Sequence, residues 1–247
     1  MRVHRTAAAF AGAAAEYERG RPGYPEEAVG WLAERLGLSA GRTVLDLAAG
    51  TGKLTRQLVA TGAEVVAVEP LDEMRAELAA AVPAARALAG TAEQIPLADG
   101  SVDAVTVAQA YHWFDPPQAL REIHRVLRSG RAFALVWNGR DLDDPLQAAI
   151  GDLLEPLRQA ADLKDADPEA DFARSGLFSP PEKRRFVHEQ DLIAERVLDR
   201  VASTSVVAAL APDEREGLLG NVSALLAGEK GPIVLRYVTE VFVSDRR

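Results

Sequence analysis

In the run Val44-Leu45-Asp46-Leu47-Ala48-Ala49-Gly50-Thr51-Gly52-Lys53-Leu54-Thr55, two glycines separate an apolar stretch from an amphipathic one. A second apolar stretch, Val65-Val66-Ala67-Val68, ends on Glu69 and Pro70. Glycines at Gly50 and Gly52 let a backbone pass close to a ligand with no Cβ in the way, and a carboxylate at the end of the next strand accepts both hydroxyls of a ribose. These residue types at this spacing predict a nucleoside site. A dinucleotide fingerprint needs a third small residue three positions after the second glycine, and Thr55 stands there, so the nicotinamide reading weakens. A phosphate-cradling G-x-x-x-x-G-K-[ST] loop fails too, since one residue separates the glycines and Leu54 follows Lys53.

The glycine run resembles motif I of the class I S-adenosylmethionine-dependent methyltransferases, D/E-x-G-x-G-x-G. Asp46, Gly50 and Gly52 match, and Ala48 stands where the first glycine is usual. The resemblance continues through Gly90-Thr91-Ala92-Glu93-Gln94-Ile95-Pro96-Leu97, similar to the adenine-contacting segment of small-molecule enzymes of that class, although many relatives carry aspartate at the place of Thr91. Gln109-Ala110-Tyr111-His112-Trp113-Phe114-Asp115 and Val126-Leu127-Arg128-Ser129-Gly130 resemble the signatures after strand four and before strand five. Tyr17-Glu18-Arg19-Gly20-Arg21-Pro22-Gly23-Tyr24-Pro25 resembles the segment preceding the core of trans-aconitate-methyltransferase-like enzymes within the methyltransferase type 11 group. The likeness spans about the first 140 residues well and the remainder loosely. It implies S-adenosylmethionine as cofactor, S-adenosylhomocysteine as product, and Tyr17, Arg21, Asp46, Ala48, Gly50, Gly52, Glu69, Pro70, Thr91, Ala92, Glu93 and Gln109 as the cofactor-binding set. Tyr17 and His112 are the candidate catalytic side chains. His112 has two readings, general base for an acceptor hydroxyl or carboxyl, or a residue packed beside Trp113 and Phe114. Asp46 likewise reads as a buried structural acid, and its family counterpart also helps hold the methionine amino group.

The elements that must position these residues follow from periodicity. Helices are expected over 25–36, 53–61, 72–82 and 117–127, and strands over 43–47, 64–68, 87–89, 104–107 and 132–136. Strands alternating with helices imply a parallel sheet with right-handed crossovers and a ligand at the carboxyl ends of the strands: an α/β, doubly wound, Rossmann-like three-layer sandwich. Helical spacing resumes through Leu146, Ile150, Leu153, Leu154 and Leu157. It lapses over the charged, proline-bearing stretch 162–183, which reads as an insertion or lid. A sixth strand is expected over 185–190. The alternating stretch 233–243 is assigned by the resemblance to a seventh strand, antiparallel between the fifth and sixth, with the helices of 192–227 over the site. One methyltransferase domain over 1–247 results: an N-terminal lid segment 1–25, a cofactor-binding core 26–140, and 141–247 holding strands six and seven with helical substrate-lid insertions.

Composition bounds the partners. The 247 residues are 48% hydrophobic and 26% charged, with a net charge of −9 and no cysteine. An acidic chain is a poor match for a phosphate backbone, so a small-molecule methyl acceptor is expected and nucleic acid is not. The zero cysteine count rules out disulfides and thiolate metal sites, and the scattered His4, His124 and His188 show no ligand spacing, so no metal is expected. Met1 to Ala15 imitates a secretory leader only in its arginines and alanines; with no apolar run near the ~20 residues of a membrane span, a cytoplasmic protein with no membrane partner is predicted. Two rivals remain, a non-catalytic S-adenosylmethionine-binding regulator and a nicotinamide-dependent oxidoreductase. Gly139-Arg140 after Asn138, in place of a Pro-Pro-aromatic element, disfavours amino methylation of DNA. Oligomeric state and acceptor identity are not encoded in any motif.

Overall fold

The computed structural model describes residues 18–161, 167–228 and 231–247. Its first half runs α1 (Glu26–Leu36), β1 (Thr43–Leu47), α2 (Lys53–Val59), β2 (Glu64–Val68), α3 (Asp72–Ala81), β3 (Arg86–Leu88), β4 (Val102–Ala108), a 3₁₀ turn (Tyr111–Trp113), α4 (Pro116–Val126) and β5 (Leu127–Arg140). The second half adds α5 (Pro145–Ala160), α6 (Pro168–Ser175), β6 (Glu182–Leu192), α7 (Ala194–Ala202), α8 (Ser205–Ala208), α9 (Pro212–Leu226) and β7 (Ile233–Asp245). One sheet results, in the order β3-β2-β1-β4-β5-β7-β6. The first five strands pair parallel, and β7 enters antiparallel to both β5 and β6. This is the expected doubly wound α/β sandwich with an antiparallel last strand.

The central strands are short and apolar because helices cover both faces of a parallel sheet. Leu45, Leu47, Val66, Val68, Val105, Val107, Phe133 and Leu135 share one face with Leu120, Ile123 and Val126 of α4. Their strand neighbours Val44, Val65, Ala104, Ala132 and Val136 join Ala28 and Leu32 of α1 and Leu54 and Leu58 of α2 on the other face. Gly37, with φ of 64°, closes α1 in the left-handed conformation that glycine adopts freely. A third core, built from Ile150, Leu154, Val197, Val201 and Val222, seats α5, α7 and α9 on Leu235 and Tyr237 of β7.

Several expectations shift. The third strand is Arg86–Leu88, one residue earlier than expected, and Ala81 of α3 is exposed while Val82 is buried in its place. β5, β6 and β7 all exceed the expected spans: β5 starts early at Leu127, paired parallel with Val102 of β4, and runs on to Arg140 by antiparallel pairing with β7, which also pairs with all of β6. The charged stretch 162–183 is no simple lid. Asp167 caps α6 through the Ala170 N–H, and Phe172 and Phe178, both fully buried, pack with Phe133 in the core. Among the described residues no helix is long and apolar enough to cross a membrane.

Under the glycine turn, Asp46 of β1 is buried, and its two carboxylate oxygens accept from Thr55 Oγ1 at 2.6 Å and Thr106 Oγ1 at 3.0 Å. Burial pushes its carboxyl up to about 6 while the hydroxyls pull it down. The acid thus ties α2 and β4 to β1 directly beneath the turn. Replacing Thr106 by the near-isosteric valine leaves one buried carboxylate oxygen without its hydroxyl donor, and such a loss costs about 1–3 kcal/mol. Urea unfolding of Thr106→Val is expected to show a lowered midpoint with an unchanged slope; an unchanged midpoint would remove Asp46 from the structural role.

Candidate functional site

One cavity of about 750 Å³ opens at the carboxyl ends of β1, β2, β4 and β5, within the roughly 300–1,000 Å³ of small-molecule sites. It sits where the strand order reverses between β1 and β4, the position that doubly wound sheets use for ligands. Ala48 and Gly50 reach it from the first turn, Glu69 and Pro70 from the second, Thr91, Ala92 and Glu93 from the loop after β3, and Gln109 and His112 from the loop after β4. Arg21 reaches it from the N-terminal segment. Three predicted residues stand apart: Tyr17 lies outside the described residues, and Asp46 and Gly52 do not line the cavity.

Positions of the motif differ in what they require. Gly50, at φ 59°, faces open space, so a side chain there would project into the room a ligand needs. Gly52, at φ 87°, instead turns toward α3, where an added Cβ would sit 3.2 Å from Leu78 and Val82. Its role is turn geometry and helix packing rather than ligand approach. Ala48 adopts φ 57°, which explains why glycine is usual at that position. Gln109 has φ 60° and is held by its N–H on Val136 O at 2.9 Å and by Nε2 on Asn138 O at 3.2 Å. Left-handed non-glycine backbone at two cavity-lining positions marks a site that the surrounding structure over-determines.

Glu69 is the electrostatic centre of this half of the cavity. Its carboxylate is buried, yet its Oε2 accepts from the Gly50 N–H at 2.9 Å and its Oε1 from the Leu71 N–H at 3.0 Å. Burial raises its pKa, opposed by those two backbone donors and by the nearby Arg75. A carboxylate has about four lone-pair sites, so each oxygen retains one for a ligand hydroxyl. The carboxylate, the bare Gly50 and the apolar walls of Leu71, Met74 and Ala92 fit a nucleoside such as that of S-adenosylmethionine.

The N-terminal segment straps the site. The Glu18 carboxylate accepts from Thr51 Oγ1 at 2.7 Å and its carbonyl from Lys53 Nζ at 2.8 Å, while Arg19 meets Asp199 of α7 through two bonds. Gly20 lies so close to α7 that a Cβ would fall 2.4 Å from Arg200 N. Arg21 donates to Ser203 Oγ and Ser203 O. Residues 18–25 therefore join the glycine turn to the helix across the mouth.

Trp113 and Phe114 of the signature after β4 line the rest of the cavity with Trp137 and Phe242, and Arg140, Arg158 and Arg200, which no motif singles out, bring guanidiniums from β5, α5 and α7. His112 is exposed on the 3₁₀ turn, its ring 4.1 Å from that of Trp113. The single positions 140, 158 and 200 share no spacing, so only the fold collects them.

Comparison with known proteins agrees with this geometry. Residues 45–135 match the family model described as a methyltransferase domain. An uncharacterized methyltransferase of Mycobacterium tuberculosis is 42% identical over 236 residues, 93% of this chain and 92% of the relative. The crystal structure of the YcgJ protein from Bacillus subtilis superposes with a TM-score of 0.62 at 20% identity, over 90% of this chain and 99% of that one. Geranyl diphosphate methyltransferase in complex with SAM gives 0.52 at 17% identity, over 90% and 77%. With the glycine turn, the buried carboxylate at the end of β2 and this relationship in hand, the chain belongs to the S-adenosylmethionine-dependent methyltransferases.

Proposed function

We propose that the chain transfers the methyl group of S-adenosylmethionine to a small-molecule acceptor bound in the second half of the same cavity. The observation that supports this reading most is the continuity of one cavity from Gly50 and Glu69 to the aromatic and arginine-lined compartment beyond Gln109. A protein that only bound the donor would need no second compartment. When bound, the sulfonium supplies an already activated methyl group. The protein's own work is then alignment and exclusion of water, and orientation alone supplies about 7–11 kcal/mol in favourable cases.

In this reading Glu69 binds the ribose hydroxyls, Gly50 gives the ligand close access to the turn, and residues 91–93 border the base. The predicted set of Arg21, Ala48, Pro70 and Gln109 completes the donor half; Asp46 and Gly52 act from beneath it, holding the turn. The strap of residues 18–25, with α5 and α7, closes the mouth against water. His112, facing the cavity from its turn, takes the acceptor's proton where the acceptor has one to lose.

Calorimetric titration is expected to show binding of S-adenosylhomocysteine and none of NAD; NAD binding without a response to S-adenosylhomocysteine would overturn the reading. Glu69→Gln, which keeps the shape and loses the charge, should weaken S-adenosylhomocysteine by roughly one to two decades, since hydrogen bonds to charged groups contribute about 1.5–3 kcal/mol. Ribose hydroxyls donate to ionised Glu69, and burial raises its pKa, so wild-type affinity should fall on acidification at a higher pH than for an ordinary carboxylate. That acid limb should vanish in Glu69→Gln; an identical pH profile in both proteins would relieve Glu69 of the ribose.

For His112, the replacement His112→Gln should lower the maximal rate with little change in cofactor affinity and remove one ionisation from the pH–rate profile. A wild-type rate and profile in this variant would return His112 to packing against Trp113.

A further inference from the structure

Several arginines outside the cavity meet carboxylates. Asp103, buried at the amino end of β4, receives Arg42 at 3.1 Å, Arg128 at 2.5 Å and Arg131 at 3.3 Å. Arg125 pairs with Glu122 and Asp99, and Arg35 with Glu182 and Asp245. Arg200 departs from this pattern. Arg200 is 6% exposed, and its Nε and Nη1 are buried with no hydrogen-bond partner among the described residues, the guanidinium lying 5.8 Å from the centre of the Tyr237 ring. The adjoining Thr204 Oγ1, on the same wall, is likewise buried without a partner. Arg140 ends β5 beside them. Enclosure first, and then the neighbouring guanidiniums of Arg200, Arg21 and Arg158, lower its pKa to about 9.

Like charges gathered from four separate elements repel, and buried unpaired donors each carry a desolvation cost. Such an arrangement persists where a ligand completes it. Carboxylates do line the cavity nearby, Asp152 and Glu155 on α5 and Glu240 on β7. Glu155 faces Arg158 at 3.7 Å and Glu240 faces Lys183 at 2.9 Å, and none of the three bonds Arg140 or Arg200. The group that suits the pair is an anion with at least two acceptor oxygens, the partner that a planar guanidinium fits best. Leu142 lines the cavity close in sequence to Arg140, while Trp137 and Phe242 line it from the opposite face of β5 and β7.

We propose that the methyl acceptor is an acid, whose carboxylate or phosphate is held by Arg140 and Arg200 with the Thr204 hydroxyl. The assignment rests on the methyltransferase reading of this cavity and adds the acceptor's class to it. Arg140 and Arg200 are binding residues here; the nucleophilic atom of the acceptor is left free to be another group of the same molecule or the acid itself.

The test begins from protein saturated with S-adenosylhomocysteine, titrated with phenylacetate, phenyl phosphate and the neutral phenylacetamide, with Trp113 and Trp137 as fluorescent reporters and calorimetry as the second readout. Phenylacetate or phenyl phosphate is expected to bind at least tenfold more tightly than phenylacetamide, and the stronger of the two names the acid. Arg140→Gln should then lose roughly ten- to hundredfold of that affinity while S-adenosylhomocysteine affinity stays within twofold. Arg200→Lys, which keeps a cation in the buried position, should lose less than Arg200→Gln. Because the three-probe comparison uses the wild type, it decides the matter even where a variant fails to fold. Equal binding of acid and amide, or unaltered anion affinity in Arg140→Gln, overturns the proposal. So does a loss of S-adenosylhomocysteine affinity in the arginine variants, which would assign these guanidiniums to the methionine carboxylate. Failure of the wild type to bind S-adenosylhomocysteine at the outset would instead sink the donor reading on which the proposal stands.

Discussion

The site depends on a carboxylate buried at the end of one strand and satisfied by the turn that leaves its neighbour. Glu69 takes the Gly50 N–H on one oxygen and the Leu71 N–H on the other. An isolated ionised carboxylate is costly to bury, and two backbone donors offset much of that cost. The same two bonds fix the turn after β1 against the turn after β2, which is the geometry that leaves a bare backbone at Gly50 and lone pairs facing the cavity. A shift of either turn would leave an orphaned acid in the core. The floor beneath obeys the same rule: Asp46 is buried only because Thr55 and Thr106 supply hydroxyls. Thr55, the residue that breaks a dinucleotide fingerprint, is thus the residue that makes the buried acid tenable.

This dependence explains which parts of the fold are legible in the sequence. β1 and β2 fall at the expected residues because a short run buried on both faces, bounded by glycine and charged turns, has one register that hides it. Gly50 and Glu69 are readable since their chemistry is local to those strand ends. Gly52 is not, for the opposite reason: its constraint comes from Leu78 and Val82, residues of another element that spacing within the motif cannot reveal. The stretch 162–183 misleads through its charge, which masks Phe172 and Phe178 as core residues; two isolated aromatics carry no period to betray them. The lengths of β5, β6 and β7 are set by pairing with their neighbouring strands, a property of partners and not of composition.

The acceptor half is the least legible, and physically so. A strand end that binds a nucleoside needs several residues close in sequence, because the ligand touches successive turns of a fixed scaffold. An acceptor compartment is assembled from whatever the elements above the sheet bring together. Arg140, Arg158 and Arg200 come from β5, α5 and α7, and no regular interval in sequence links them. The strap contributes twice, with Arg21 in the wall and Gly20 seated on the backbone of Arg200, so the N-terminal segment couples the glycine turn to the arginine that most needs a ligand.

Charge is distributed unevenly along the cavity, and methyl transfer takes place within that field. At one end lies a carboxylate whose bonds to Gly50 and Leu71 favour its ionised form; at the other, enclosure and the neighbouring guanidiniums of Arg200, Arg21 and Arg158 lower the pKa of Arg140. A cationic donor entering such a space adds an excess of positive charge to that of the guanidiniums. An acidic acceptor removes that excess while the nucleophile is brought into line. The same pairing gives selectivity: a neutral amide of equal size offers the Arg200 donors one uncharged acceptor oxygen in place of two charged ones, and hydrogen bonds to charged groups are the stronger. Under the proposed acidic acceptor, electrostatic complementarity built into the walls chooses the acceptor and orients it toward the donor's methyl group, leaving His112 only the proton to remove.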